Sequence, residues 1–194
     1  MNFEPVIGLE IHVELKTKSK MFSSAPVTYG KEANSQTAPL DLGFPGTMPV
    51  VNKEAVVYAI RVSNALHMKI DHELHFDRKN YFYSDLPKGY QITQDRRPIG
   101  SDGYLEIVVN GQKKRIGIER LHMEEDTCKQ LHSWDCSLLD YNRAGIPLVE
   151  IVSRPDMRSG EEAMKYAEKI RSIVSFLDVS DRRASCRERV LESV

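Results

Sequence analysis

Apolar and polar residues alternate strictly near the start of the chain. Within residues 6–16, the apolar residues Ile7, Leu9, Ile11, Val13 and Leu15 share one parity. A period of two predicts a β-strand with one buried face. The opposite face carries Glu10, His12 and Glu14, and side chains on one face of a strand lie about 7 Å apart. This spacing suits groups that surround a bound ion or phosphate, with a solvated sheet face as the alternative interpretation.

Two later segments have the apolar spacing of amphipathic helices. Asn52 is placed to cap a helix that ends near His67. Ser159 and Glu162 form the S-x-x-E pattern of a capping box at the start of a second helix. The expected core positions recur every three or four residues: Val56, Ala59, Ile60, Ser63 and Leu66, then Ala163, Tyr166, Ala167, Ile170, Ile173, Val174 and Leu177.

Strand-like runs and turn signals occupy much of the remaining sequence. Asn110-Gly111, between the two runs of residues 104–119, predicts a β-hairpin because both turn positions need a positive φ. Another strand is expected over residues 146–152. Residues 17–50 lack periodicity and indicate a long ordered loop region with short strands, one of them within 41–51.

The second strand of this hairpin continues into three consecutive carboxylates, Glu124, Glu125 and Asp126. At the end of a strand they would place oxygen atoms at the edge of a sheet. Hard cations such as Mg²⁺ are bound through one or two carboxylates together with substrate phosphates. The cluster therefore predicts a cation site, and a charged turn is the alternative.

A second candidate region, residues 75–94, interleaves basic and aromatic side chains. Its members are Arg78, Lys79, Tyr81, Tyr83, Lys88 and Tyr90. Such a pattern can contact phosphates and stack on bases. A surface loop with half-buried tyrosines is the alternative interpretation.

Composition narrows the class of protein. The chain has 194 residues, 41% of them hydrophobic, which is enough apolar material for a sizeable core. Its 27 Lys and Arg against 28 Asp and Glu argue against a uniformly basic nucleic-acid-binding protein.

No apolar run is long enough for a membrane span. An odd cysteine number, three, and no signal segment predict a cytoplasmic protein. The common P-loop, dinucleotide, zinc-protease and serine-hydrolase motifs are absent.

Four blocks of the sequence are long and unusual in composition: residues 8–23, 76–94, 120–129 and 139–159. Their occurrence together, in this order, is distinctive. The run D-x-N-R-x-G-x-P-L-x-E-I-V at 140–152 is the most specific. Together the blocks resemble the B subunits of the aspartyl/glutamyl-tRNA amidotransferases. The resemblance implies an α+β fold, an antiparallel-sheet cradle domain with flanking helices, which residues 1–181 would contain in truncated form.

The resemblance also implies an activity. Members of this family use ATP and Mg²⁺ to phosphorylate the side-chain carboxylate of Glu-tRNA(Gln) or Asp-tRNA(Asn). Ammonia that a glutaminase A subunit releases from glutamine then displaces the phosphate, and a small C subunit holds the assembly together. A non-catalytic scaffold or tRNA-binding module of the same assembly is the alternative function. Without the resemblance, a metal-dependent phosphoesterase would also compete.

Phosphoryl transfer needs positioning and charge neutralisation more than covalent chemistry. We therefore expect the catalytic residues to be Glu10, His12, Glu124 and Glu125, with Glu10, His12 and Glu125 at the metal and Glu14 a weaker candidate. The expected nucleotide-binding residues are Arg78, Lys79, Tyr81, Tyr83 and Lys88.

The last residues depart from the family. Residues 182–194 read RRASCRERVLESV, with four arginines and no apolar period. Their codons can be written to resemble sequencing-adapter DNA. We expect them to be a non-native tail on a truncated gene, with a basic RNA-binding tail as the alternative.

Overall fold

The structure is a computed structural model that describes residues 4–180, and in this range a five-stranded antiparallel sheet is flanked by two helices. The elements, in chain order, are β1 (Glu10–Glu14), α1 (Lys53–Ala65), β2 (Lys69–Ile70), β3 (Asp77–Asn80), β4 (Tyr90–Thr93), β5 (Gly100–Val109), β6 (Gln112–Glu125), β7 (Lys129–His132), β8 (Ser137–Asp140), β9 (Pro147–Ser153) and α2 (Gly160–Phe176). The strand order is β1-β9-β6-β5-β2, and β3-β4 and β7-β8 form separate two-stranded sheets. The predicted α+β class with an antiparallel sheet and flanking helices is confirmed.

One face of the large sheet is the core. Along β1 the alternating residues Ile11 and Val13 are almost fully buried, and Val149 and Ile151 of β9 lie opposite them. The predicted period-two strand is therefore confirmed, although it is shorter than residues 6–16. The opposite face of β1 bears the polar side chains. This strand therefore contributes to the core with one face and to a polar surface with the other.

A β-bulge decides which residues of β6 face the core. Ile116 and Ile118 are fully buried at even positions, whereas Leu121 and Met123 are fully buried at odd positions. The pairing with β9 shifts between Ile118 and Arg120, so Glu119 is an extra residue there. An extra residue reverses the side-chain parity of the strand beyond it. The even residues after the bulge therefore point to the polar face of the sheet.

Both helices begin at the predicted caps. The side chain of Asn52 accepts hydrogen bonds from the first turn of α1. Ser159 accepts from the backbone N–H of Glu162 at 3.2 Å, but the Glu162 carboxylate accepts from the N–H of Arg158 at 2.6 Å rather than from the cap residue. In α1 the most buried positions are Ala55, Ala59, Val62, Ser63 and Leu66, so the predicted stripe is slightly rotated. The predicted stripe of α2 is confirmed around Tyr166, Ile170 and Val174.

The predicted hairpin is confirmed, and the short strand within 41–51 is not. Val109 pairs with Gln112 across a two-residue turn, in which Asn110 has a φ of 51° and Gly111 a φ of 76°. Residues 41–51 form turns and extended loop, and Val50 donates its N–H to the carbonyl of Phe22. An isolated bond of this kind is too little to form a ladder.

A buried ion pair fastens the long loop to the domain. Lys20 Nζ lies 3.0 Å from Asp41 Oδ2, and it also donates to the carbonyl of Tyr141. Asp41 accepts further hydrogen bonds from the Ser23 hydroxyl and the Ala38 N–H. The loop is thereby tied to the segment that leads into β9. Among the described residues, no helix is long and apolar enough to cross a membrane.

Candidate functional site

The polar face of the sheet is the floor of a cleft of about 990 Å³. Strands β1, β9 and β6 supply the floor, and β3 and β4 with their loops supply a wall. A cleft of this size is at the upper end of the range for small-molecule sites and is large enough for a nucleotide. The cleft therefore joins the two regions that the sequence singled out, the polar face of the first strand and the basic, aromatic block.

Three strands bring their polar residues into register on this floor. His12 of β1 lies opposite Glu150 of β9, and Glu150 lies opposite His122 of β6. One step along the face, Glu14 and Glu124 flank Leu148. In the other direction Glu10 and Arg120 flank Val152. The set of floor residues is thus determined by strand pairing as well as by sequence.

The middle of the floor is a compact cluster of imidazoles and carboxylates. His12 Nε2 lies 3.2 Å from both Glu124 Oε1 and Glu150 Oε2. One donor atom from each of these three residues fits within 4.8 Å of the others. Glu124 is only about 5% exposed and Glu150 about 12%, whereas His12 is 27% exposed to the cleft. A small cation could therefore reach the cluster from the His12 side.

The cluster perturbs the proton affinity of its members. Burial alone lowers the pKa of His12, but hydrogen bonds and charges from Glu124 and Glu150 outweigh it and raise this pKa to about 10. Burial raises the pKa of Glu150, but the imidazoles of His12 and His122 hold that pKa well below its ordinary value. The carboxylates thus favour protonated imidazoles, and a cation that binds through His12 would displace the proton of that ring.

This donor set fits a divalent cation. Two carboxylates supply the oxygen ligands that Mg²⁺ and Mn²⁺ favour, and an imidazole is compatible with a transition metal such as Mn²⁺. Three side chains leave positions for water and phosphate oxygens. Glu10 lines the same cleft, but it is not among the three grouped donors.

Basic side chains line the cleft. Arg78, Lys79 and Arg96 lie on the wall, which also carries Asp77, Asp85 and Asp95, and Arg120 lies on the floor. The Arg78 guanidinium lies 4.6 Å from the centre of the Tyr90 ring, an arrangement that fixes this long side chain. The predicted phosphate-contacting residues Arg78 and Lys79 thus line the same cleft as the cation cluster, as a polyphosphate ligand would require.

Glu125 and Lys88 lie apart from the cluster and pair with each other. Because Glu125 follows Glu124 on a strand, its side chain points the opposite way. The carboxylate is 5% exposed, forms an ion pair with Lys88, and accepts the N–H of Ile92 at 3.1 Å. Neither Glu125 nor Lys88 lines the cleft. The structure therefore does not bring Glu125 together with His12, and it gives Lys88 a carboxylate partner instead of an open phosphate site.

The two tyrosines of the predicted nucleotide site differ in their position relative to the cleft. Tyr81 lines the cleft, where burial and nearby carboxylates raise its pKa to about 12, so it stays a neutral hydroxyl. Tyr83 is 57% exposed and lies outside the cleft lining. Tyr81 is thus the tyrosine placed to contact a ligand of the cleft.

Sequence reasoning missed Glu150 and His122. Both belong to runs that look like buried strands, L-V-E-I-V and R-L-H-M-E. The sequence did contain a signal for both residues: each is an ionisable side chain in a strand that is otherwise apolar at its neighbouring positions. A buried ionisable side chain needs a partner. The cross-strand register that supplies that partner cannot be read from one sequence.

Comparisons with known proteins show which sequences this chain resembles. A family model described as the GatB/GatE catalytic domain matches residues 5–188. The B subunits of aspartyl/glutamyl-tRNA(Asn/Gln) amidotransferase from Bacillus thuringiensis (strain Al Hakam), Bacillus mycoides (strain KBAB4) and Bacillus anthracis (strain CDC 684 / NRRL 3495) are each 58% identical to the chain over 181 residues. The match covers 93% of this chain and 38% of each relative, so the chain spans well under half the length of these relatives.

Proposed function

The chain belongs to the GatB/GatE catalytic-domain family, and from this premise we propose that it activates a tRNA-bound carboxylate with ATP and Mg²⁺. The substrate would be Glu-tRNA(Gln), Asp-tRNA(Asn) or both. A side-chain carboxylate oxygen attacks the γ-phosphorus of ATP, and ADP leaves. Ammonia then attacks the acyl carbon, phosphate leaves, and the side chain becomes an amide.

The observation that carries this proposal is the cluster of His12, Glu124 and Glu150 in a cleft that Arg78 and Lys79 also line. A carboxylate substrate is already a nucleophile, so the reaction needs no strong general base. It needs two anions, ATP and the substrate carboxylate, to approach each other. The bound cation would neutralise phosphate charge, and Arg78 and Lys79 would contact phosphate oxygens.

The partners belong to the proposal. Ammonia would come from a glutaminase A subunit, a C subunit would complete the assembly, and tRNA would be held mainly by parts of the longer relatives that this chain does not include. The cytoplasm would be its location. The arginine-rich residues 182–194 lie outside the described residues, so their assignment as a non-native tail stays a prediction.

Glu150→Gln in the assembled complex tests the proposal. It keeps the size of the side chain and removes the charge, and we expect ATP-dependent amidation to fall at least ~100-fold, because a cation at this position stabilises several kcal/mol of developing charge. Glutamine hydrolysis by the A subunit should persist. Glu106→Gln is the matched control, since Glu106 is an exposed carboxylate of β5 outside the cleft.

Normal amidation by the Glu150→Gln complex would refute the proposal and support the non-catalytic scaffold. Phosphate release from simple esters without tRNA or ammonia would support a phosphoesterase instead. Glu125→Gln belongs in the same series. A loss equal to that of Glu150→Gln, in a variant that unfolds at the same urea concentration as wild type, would support the sequence-based placement of Glu125 at the metal.

A further inference from the structure

His122 of β6 contacts the carboxylates of the cation cluster and lies across Glu150 from His12. Its Nε2 is 3.2 Å from Glu150 Oε2 and 3.6 Å from Glu124 Oε2. Its side chain is 7% exposed, compared with 27% for His12. The two imidazoles therefore contact the carboxylates from the two strands that flank β9, and His122 is the more buried of the two.

The oxygens of Glu124 are divided between the two histidines. Oε1 faces His12 and Oε2 faces His122. His12 Nε2 is within hydrogen-bond distance of Glu124 Oε1 at 3.2 Å, whereas His122 at 3.6 Å makes an ion-pair contact with Oε2. Contacts with both oxygens restrict the plane of a carboxylate. Glu150 is held by both imidazoles through Oε2. The rotations of both carboxylates are thus restricted by the two imidazoles.

The backbone at His122 is itself fixed. The flanking residues Leu121 and Met123 are fully buried on the core face, and the Met123 N–H donates to Gln94 Oε1 at 3.0 Å. The strand lies between β9 and β5, so neither edge is free to move. His122 is consequently a rigid support.

We propose that His122 is a positioning residue that orients Glu124 and Glu150 for a divalent cation and does not ligate the cation. The inference rests on the cation site of the proposed function. Two observations favour a supporting role over ligation. The grouped donor atoms come from His12, Glu124 and Glu150, and the His122 side chain, although it lines the same cleft, is only 7% exposed compared with 27% for His12.

Mn²⁺ binding to the full chain tests this assignment, with electron spin echo modulation to count the imidazole nitrogens on the metal. Wild type should show one coupled nitrogen, and His12→Ala should lose it. His122→Ala should keep the nitrogen while the Kd for Mn²⁺ rises about 10–100-fold, as removal of outer-shell partners typically does. His122→Gln, whose amide can donate to both carboxylates, should recover most of this affinity.

His132→Ala is the matched control, because His132 is an exposed histidine of β7, and its Kd should equal that of wild type. His122→Phe, which fills the space without a donor, replaces the alanine variant if the latter fails to fold. Loss of the coupled nitrogen in the His122 variants would overturn the inference, because His122 would then be a ligand. An unchanged Kd in His122→Phe would also overturn it.

These outcomes separate this inference from the proposed function. If wild type binds no Mn²⁺, the cation site and the role of His122 fail together. If wild type binds Mn²⁺ through His12 and only the His122 variants behave otherwise than expected, the role of His122 fails and the proposed function stands.

Discussion

The Lys20 ammonium lies 3.0 Å from the carboxylate of Asp41, and both side chains are almost completely buried, at 0% and 1% exposed. This pair joins the start and the end of a loop that has no strands of its own. Removing one partner would leave the other as an uncompensated buried charge, which is costly.

Lys20→Met should therefore lower the free energy of unfolding by about 3–5 kcal/mol. Urea unfolding monitored by circular dichroism measures the change. Lys18→Met is the control, because Lys18 is exposed on the same loop, and it should alter stability by less than ~0.5 kcal/mol. Equal midpoints for the two variants would contradict a structural role for the pair.

The β-hairpin turn provides a second prediction. Gly111 has a φ of 76°, and a Cβ there would meet no neighbouring atom, so only the backbone conformation disfavours substitution. Gly111→Ala should destabilise the chain by about 1–2 kcal/mol. Gly160→Ala is the matched control, because its Cβ would also be in open space while its φ is not positive. It should be neutral or slightly stabilising, and a similar loss in both variants would contradict the argument.

The β-bulge provides a third prediction. Deletion of Glu119 forces one half of β6 to turn its side chains over, either exposing Leu121 and Met123 or exposing Ile116 and Ile118. We expect the deletion variant to lose the dispersed amide NMR spectrum of a folded protein. Glu119→Ala retains the extra residue and should keep that spectrum. A folded deletion variant that still binds Mn²⁺ would show that the bulge does not set the parity.

A pH-dependent interaction lies away from the cleft. Hydrogen bonds from the Arg97 guanidinium to Asp71, 2.6 Å at the shorter, and from the Glu73 N–H lower the pKa of Asp71 to about 2. Because this pKa is lower in the folded chain than the ordinary 3.8, the pairing stabilises the fold above about pH 4. The contribution is lost as the pH falls through about 2.

Carbon-13 NMR titration of the Asp71 carboxyl measures this shift. Arg97→Met should move the pKa most of the way back toward 3.8. Arg61→Met, at an arginine of α1, should leave it at about 2. An Asp71 pKa that is the same in wild type and Arg97→Met would contradict the assigned cause.

The parts of the fold that local chemistry determines were accessible from the sequence. Asn52 and Ser159 cap their helices as expected, and Asn110-Gly111 forms the turn, because caps and tight turns depend on neighbouring residues. The prediction of a short strand within residues 41–51 was wrong. That segment is apolar enough for a strand, but it is fastened by isolated long-range bonds, as from Val50 to Phe22.

The site was accessible only in part, because it depends on strand pairing. His12 and Glu124 were recognised from their own strands and meet in the structure at 3.2 Å. Glu150 and His122 enter through the register of β9 with β1 and β6, which no single strand specifies. Glu124 and Glu125 were equivalent in sequence, and the bulge at Glu119 decides that Glu124 faces the cleft.

The strand order has a consequence for synthesis of the chain on the ribosome. β1 is made first, yet its pairing partner in the sheet is β9, which is made near the end of the described range. At ordinary translation rates the first strand waits on the order of ten seconds for its partner. His12 therefore meets Glu150 only after nearly all of the sheet has emerged. In a nascent chain, cation binding would then appear only once β1 has paired with β9, and it would serve as a measure of sheet completion.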